Sequence, residues 1–454
     1  MSARETWSGR TGFILATIGS AVGLGSIWKF PYEVGSNGGG AFVLFYLAGL
    51  ALVVWPLMLL EFALGRRGQA DAARGIAAVA KEFGASPRWA GIGVLGTLTS
   101  FLILSFYAVI GGWALAYAIE ALTGVGGIAA DGAAAQARFD ALLASPVRLG
   151  LHHLLFMVAT VAIVALGVRR GIERASEIMM PALALLMAAL AVYGAVEGDV
   201  GATLDYLFRF DPARIEPRVA LEALGLGFFS IGVGLAVMVT YAAYAEAAID
   251  LRQVALITIL GDTAISFMAG LAIFPLVFAN GLDPAGGPGL MFVSLPVAFA
   301  AMPFGGAAAL AFFLLLTVAA LSSAISMLEM AAAYLRRARQ WSRIRAAVVA
   351  GAVCWVLGWA TVLSFNLGRE WRPLGLVPGF EGLGAFELLD QLTSNLLLPL
   401  GGLALAILGG WALPHDLLAK ELRLGAGAAR ALRFLLRYFA PAAILATAAA
   451  PLLF

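Results

Sequence analysis

The sequence predicts an all-α integral membrane protein of eleven transmembrane helices, and three observations carry that reading. Apolar residues make up 62% of the 454 and charged ones only 12%, a balance that leaves a soluble protein too little polar surface to stay in solution. Apolar stretches of about 20 residues, the length that crosses a hydrocarbon core, recur along the whole chain. Two of them, the first and the sixth, are interrupted by glycine and serine at comparable depth.

In order, the stretches cover residues 11–33, 40–65, 89–122, 149–168, 173–195, 219–245, 252–280, 305–335, 344–364, 384–411 and 430–453. The first contains Gly19-Ser20-Ala21-Val22-Gly23-Leu24-Gly25-Ser26. Lipid offers no partner to a freed N–H or C=O, so such a break persists only where it lines a cavity. The sixth contains Gly225-Leu226-Gly227-Phe228-Phe229-Ser230-Ile231-Gly232-Val233-Gly234. Two interrupted helices in corresponding positions of two halves are the pattern of a secondary transporter, in which half-helix ends and unwound carbonyls hold substrate and cation near the midplane.

Two segments between spans are long. The Ala/Gly-rich 123–148 reads as a solvated loop. In 281–304, the turn signals Asp283-Pro284-Ala285-Gly286-Gly287-Pro288 precede an apolar run through Pro296, which reads as a lid dipping back into the protein. Neither makes a separate domain, so residues 1–454 are expected to form one.

Basic residues gather on one side of the predicted spans: Arg4, Arg66, Arg67, Arg169, Arg170, Arg252, Arg336, Arg337 and Lys420. The positive-inside rule places the N-terminus in the cytoplasm, and an odd number of spans then leaves Phe454 outside. The first apolar stretch is too long for a cleavable signal. A net charge of +2 gives no basis for a nucleic-acid partner. The single Cys354 excludes a disulfide framework and a thiolate metal cluster. His152, His153 and His415 lie beside neither break, so the convergent set that an enzyme needs is missing, and interruptions at one depth only do not make a channel.

The stretches Gly23-Leu24-Gly25-Ser26-Ile27-Trp28-Lys29-Phe30-Pro31-Tyr32, Asn37-Gly38-Gly39-Gly40-Ala41-Phe42, Phe228-Phe229-Ser230 and Ala320-Leu321-Ser322-Ser323-Ala324-Ile325-Ser326 resemble the neurotransmitter:sodium symporters, above all their bacterial amino-acid transporters. The resemblance runs through the whole chain in the same order, without the twelfth helix common in that family. It implies the leucine-transporter fold: a 5+5 inverted repeat, with the first repeat about 11–195, the second about 219–411, and the eleventh helix, about 430–453, outside both. It also implies a multi-pass protein of the bacterial inner membrane that imports an amino acid with sodium by alternating access.

Sodium is a hard cation that takes oxygen ligands. A Ser-Ser pair on one helix, facing the bared carbonyls of another, supplies several; the alternative is that Ser322 and Ser323 bond back to the preceding turn of their own helix. By resemblance, two sodium ions are expected. One would take the carbonyls of Gly19, Val22 and Ala319 with the hydroxyls of Ser322 and Ser323. The other would take the Ala21 carbonyl, Ser26, Ser230, Asp262 and the substrate carboxylate. Ser26 stands where the family usually has Asn, and Asp262 where chloride-dependent members have Asn. A carboxylate inside a membrane helix is costly unless it is paired or solvated, and so suggests a function; here it can supply the negative charge that chloride supplies elsewhere. Leu226, where chloride-binding relatives carry Gln, agrees, although Tyr46 and Ser266 remain. The expectation is transport without chloride. A protonated structural acid and a proton-coupled one are the other readings of Asp262.

Gly23 occupies a position that is Asp in the amine branch, and it leaves room for a carboxylate to reach the amides of Leu24 and Gly25 at a half-helix N-terminus. Tyr107 would donate its hydroxyl to that carboxylate. Carbonyls of Ala21, Phe229, Ser230 and Gly232 would receive the amino group. Ser20, Ile103, Phe229, Gly232, Leu235, Ser323 and Met327 would wall the side-chain pocket. With glycine at 232 and an aliphatic residue at 235 the space is large and apolar, which selects a hydrophobic or aromatic L-amino acid. A non-α zwitterion or osmolyte is the alternative cargo.

Lys29 and Asp390 match the family's outer ion pair, with Lys where Arg is usual, and Phe229 and Tyr107 would close beneath it. Arg4, Trp7 and Tyr244 match the inner latch. The position of its acidic partner reads Arg337, which leaves Glu329 or Glu246 to take the role, or a weak inner gate. Gly171 and Pro181 resemble the Gly-x9-Pro hinge of the fifth helix, where proline removes a donor and glycine lowers helix stability. Glu61 is placed to cap amides freed in a broken neighbour.

Overall fold

The structure, a computed structural model, describes residues 5–124, 131–212, 215–284, 289–377 and 380–453. Among the described residues, nine continuous helices are long and apolar enough to cross a membrane: α2 (Gly40–Gly68), α3 (Pro87–Thr123), α4 (Pro146–Ala165), α5 (Val168–Glu197), α7 (Leu251–Ala279), α8 (Gly305–Arg339), α9 (Arg343–Ser364), α10 (Ala385–Ala412) and α11 (Ala426–Ala450). Two further helices are broken, and of these α1 is long and apolar enough to cross as one bent span. In α1 the arms Arg10–Ala21 and Gly25–Ser36 meet at 59°. In α6 they are Pro217–Ile231 and Val237–Ala242.

The break in α6 has a local cause. Gly232, Gly234 and Ala236 take φ of +70°, +97° and +58°, in the left-handed region that glycine enters freely and that ends a right-handed helix. The amides thus released do not remain bare. Glu61, fully buried on α2, accepts hydrogen bonds from Gly234 N (2.7 Å) and Met238 N (3.2 Å), which is the capping expected of it. In α1 the gap falls over Val22–Leu24, between the two arms. A Cβ on Gly23 would lie 2.8 Å from Ser323 Oγ and 2.9 Å from Tyr107 Oη, so α3 and α8 approach the bare backbone directly. These two helices, the longest of the molecule, pack along one another and form the wall against which both breaks rest.

One expectation is corrected. Residues 123–148 are not simply a solvated loop, because Gly132–Leu143 is a helix whose N-terminus is capped by the Asp131 carboxylate, which accepts from Ala134 N at 2.7 Å. An N-cap followed by an alanine-rich run favours helix. Its Ala135, Phe139 and Leu142 are buried. Phe139 stacks on Phe292 with ring centroids 5.4 Å apart, so this helix covers the apolar part of the lid. That part, Leu290–Ala300, is folded inward with Leu290, Met291, Phe292, Leu295 and Phe299 buried, as expected. The lid's turn signals at 285–288 lie outside the described residues.

Candidate functional site

The two breaks, α3 and α8 surround a cavity of about 80 Å³. Ser20, Ala21, Leu24 and Gly25 of α1, Ile103 and Tyr107 of α3, Phe229, Ser230, Gly232 and Leu235 of α6, and Ser323 and Met327 of α8 all line it. Every residue assigned to the substrate from the sequence therefore lies on one surface. Gly23, Ile231, Val237, Ser326 and Leu398 line it as well. Ser326 had a readable signal, since it lies three residues beyond Ser323 on the same helix face; its Oγ lies 3.0 Å from that of Ser20. Leu398 of α10 sits in no motif. Leu24 N donates to Tyr107 Oη at 3.2 Å, so an amide of the α1 break and the phenol meet at the cavity wall.

On one side of the cavity, Gly19, Val22, Ala319, Ser322 and Ser323 come together between α1 and α8. Ser323 Oγ crosses to the Val22 carbonyl at 3.1 Å and the Ser20 carbonyl at 3.4 Å. Ser322 Oγ bonds back to the Ala319 carbonyl at 2.9 Å. The two serines thus divide the alternatives left open by the sequence: one bonds within its own helix and the other across to α1. A Cβ on Gly19 would lie 3.4 Å from Ser322 Cβ and 3.2 Å from Met180 Sδ, so the absence of a side chain lets the two helices approach.

On the other side, hydroxyls from both breaks converge on the carboxylate of α7. Ser26 Oγ lies 2.5 Å from Asp262 Oδ1, Ser230 Oγ lies 3.3 Å from Asp262 Oδ2, and the two hydroxyls are 3.1 Å apart. Ser26, Ser230 and Asp262 are all buried. Ala21 lies on the adjoining cavity wall. Leu226, Tyr46 and Ser266 are also buried, and Ser266 Oγ donates to the Asp262 carbonyl at 2.9 Å.

The outer gate differs from expectation. No ion pair joins Lys29 to Asp390 among the described residues. Lys29 Nζ lies over the Phe229 ring, 4.8 Å from its centroid, and Asp390 accepts from Ser394 Oγ at 3.0 Å. The physical reason is an open vestibule of about 460 Å³ lined by Lys29, Glu33, Arg218, Glu222, Phe229 and Asn395, among others, which leaves the lysine facing solvent and a ring face.

At the opposite end the chain is latched shut. Trp7 is fully buried; its Nε1 donates to the Tyr241 carbonyl (2.9 Å) and its backbone N to the Tyr244 carbonyl (3.1 Å). Tyr244 Oη donates to Glu329 Oε1 at 2.7 Å. Arg343 meets Glu329 with two contacts, 3.0 and 2.5 Å, and Glu5 at 2.9 Å, while Arg336 meets Glu5 at 2.6 Å. Of the two acids considered, Glu329 is the buried one in the latch, and Glu246 is exposed. Arg4 lies outside the described residues. The sequence did not single out Arg343 or Glu5, since both read as ordinary charges at a membrane edge.

Gly171 lies in the π-helical turn Val168–Glu173 that opens α5, where a Cβ would fall 2.0 Å from the Ile163 carbonyl oxygen. Pro181 stands inside the same continuous helix. Between them, the buried Glu173 accepts Ser8 N at 3.1 and 3.0 Å and Ser8 Oγ, an attachment of the N-terminal segment that no motif disclosed.

A cavity between two broken membrane helices, lined by backbone and hydroxyl groups and adjoining a buried carboxylate, has the architecture of a secondary transporter. Comparison with known proteins gives the group within that class. The family model described as the sodium:neurotransmitter symporter family matches residues 4–126 and 143–368. The uncharacterised sodium-dependent transporter YhdH of Bacillus subtilis is 36% identical over 97% of this chain and 96% of its own. The sodium-dependent dopamine transporter of Bos taurus is 28% identical over 72% of this chain and 53% of its own. The crystal structure of MhsT in complex with L-phenylalanine superposes with a TM-score of 0.87 at 40% identity, covering 98% of this chain and 99% of that one. The chain belongs to the sodium:neurotransmitter symporter family. It is a sodium-dependent membrane transporter with the leucine-transporter fold, and not an enzyme.

Proposed function

We propose that the protein imports a hydrophobic or aromatic L-amino acid, coupled to two sodium ions and without chloride. One observation carries the reading: the cavity at the two breaks is lined by an amide of the α1 break and the Tyr107 phenol together with the apolar Ile103, Phe229, Leu235 and Met327. A substrate carboxylate would take over the Leu24 amide and the Tyr107 hydroxyl, as the partial positive charge of a half-helix N-terminus favours. Carbonyls of Ala21, Phe229, Ser230 and Gly232 would receive the ammonium. Ile103, Phe229, Leu235 and Met327 would hold the side chain. The 40% identity to MhsT, a protein solved with L-phenylalanine, supports an aromatic cargo.

One sodium would sit among Ala21, Ser26, Ser230 and Asp262 with the substrate carboxylate, and the second among Gly19, Val22, Ala319, Ser322 and Ser323. The buried Asp262 would supply the negative charge, and the apolar, buried Leu226 offers an anion no hydrogen bond. Lys29 and Asp390 would pair when the outer vestibule closes. Trp7, Tyr244 and Arg4 would belong to the inner gate, and the segment from Gly171 to Pro181 would unwind to admit water to the second sodium. Residues 1–454 would act as one transporter domain of two five-helix repeats plus α11, in a bacterial inner membrane with the N-terminus cytoplasmic and the C-terminus outside.

The test is uptake of a radiolabelled L-amino-acid panel into proteoliposomes in chloride-free buffer with a sodium gradient. Saturable, sodium-dependent uptake of phenylalanine, tryptophan or leucine is expected. No response to any α-amino acid, with uptake of a non-α zwitterion instead, would overturn the substrate assignment.

A further inference from the structure

At the edge of the molecule formed by α10 and α11, three arginines have no carboxylate within ion-pairing distance among the described residues. Arg430 Nε donates to the Ala426 carbonyl at 3.3 Å and Arg433 Nε to the Gly410 carbonyl at 3.2 Å. The Nε of Arg437 is buried and meets no acceptor. Two arginines of α2 at this end are already paired, Arg66 with Glu421, and Arg67 with Glu82 and Glu421. Spacings of three and four residues put Arg430, Arg433, Phe434, Arg437 and Tyr438 along one side of α11.

The surroundings are aromatic and face outward. Arg437 lies over the rings of Trp411 and Tyr438, at 5.4 and 5.5 Å from their centroids. Trp411, Phe434 and Tyr438 are 43%, 59% and 54% exposed. The π-helical turns Leu408–Ala412 and Leu435–Phe439 pack together here, and a Cβ on Gly410 would fall 2.7 Å from the Arg437 Cα. Arg437 is therefore held level with the last turn of α10, at the depth where tryptophan and tyrosine mark a membrane interface. Unpaired guanidinium groups next to lipid are costly, and the planar fork of arginine matches a phosphate with two parallel hydrogen bonds.

We propose that this face of α10 and α11 binds an anionic phospholipid through its phosphate. The charges of Arg430, Arg433 and Arg437 complement the head group, and the exposed rings of Trp411, Phe434 and Tyr438 cover the start of the acyl chains. Those rings favour a lipid over a soluble phosphate, which would gain nothing from them. At about fivefold per arginine, the three together should select strongly against a zwitterionic lipid.

The test is native mass spectrometry of the purified full-length protein after exposure to equimolar phosphatidylglycerol and phosphatidylcholine. The wild type should retain phosphatidylglycerol at least about tenfold more. Arg430→Gln/Arg433→Gln/Arg437→Gln should retain the two equally. Should that protein fail to fold, Arg430→Gln/Arg433→Gln, which leaves the aromatic stack in place, should lose most of the preference. Equal retention by the wild type, or an unchanged preference in both variants, would overturn the site. Comparable retention of soluble glycerol phosphate would overturn the lipid assignment.

Discussion

Asp262 is the residue on which the chloride reading turns, because its carboxylate gathers Ser26 and Ser230 from two different breaks. In Asp262→Asn the hydrogen-bonding shape is nearly kept and the charge is lost. Uptake in chloride-free buffer should fall about tenfold or more, equivalent to at least about 1.4 kcal/mol of lost cation binding, and chloride should restore part of it. Equal transport with and without chloride would show that the charge is not used. Gly23→Ala tests the wall: its Cβ would stand within 3 Å of Ser323 Oγ and Tyr107 Oη. Substrate affinity measured by scintillation proximity should drop by about tenfold or more while the protein still purifies as a folded species. At this scale much was legible, since backbone breaks, paired serines and an intramembrane acid each break a rule that ordinary spans obey. Leu398 and Arg343 break none, so only their positions in space reveal them.

Among elements, the buried ion pair of α8 and α9 gives a sharp expectation. Arg343→Ala would leave Glu329 buried with only the Tyr244 hydroxyl, and removal of one partner of such a pair costs about 3–5 kcal/mol. Arg343→Ala/Glu329→Gln should recover a good part of that loss. Thermal unfolding in detergent, read as a double-mutant cycle, checks it; additive losses would mean that the two side chains act independently. Glu61→Ala should likewise lower the melting temperature by stranding two amides, at about 1–3 kcal/mol each, and Glu61→Gln should lower it less. The spans themselves were readable because lipid demands long apolar runs. The helix Gly132–Leu143 was not, because its alanines satisfy a solvated loop and a packed helix equally well, and the decision lies with the Asp131 cap and the contact between Phe139 and Phe292.

The molecule as a whole should respond to sodium before any substrate is added. A ligand that binds only the folded state raises stability by about 2.7 kcal/mol at a hundred times its dissociation constant. Melting should therefore shift upward in sodium relative to potassium, and the shift should shrink in Ser323→Ala; identical curves in the two salts would sink both cation assignments. The two broken helices, alike in their glycines, are tethered in unlike ways. The lower arm of α6 is tied to α2 by Glu61 inside the membrane, where no water is at hand to replace the carboxylate. The first arm of α1 is tied by Trp7 and Ser8 ahead of its start, near the ion pair of Glu5 and Arg336. The α6 arm is thus fastened through one buried carboxylate of α2, whereas α1 is fastened through the segment that precedes it, to Glu173 of α5 and to the carbonyls of Tyr241 and Tyr244.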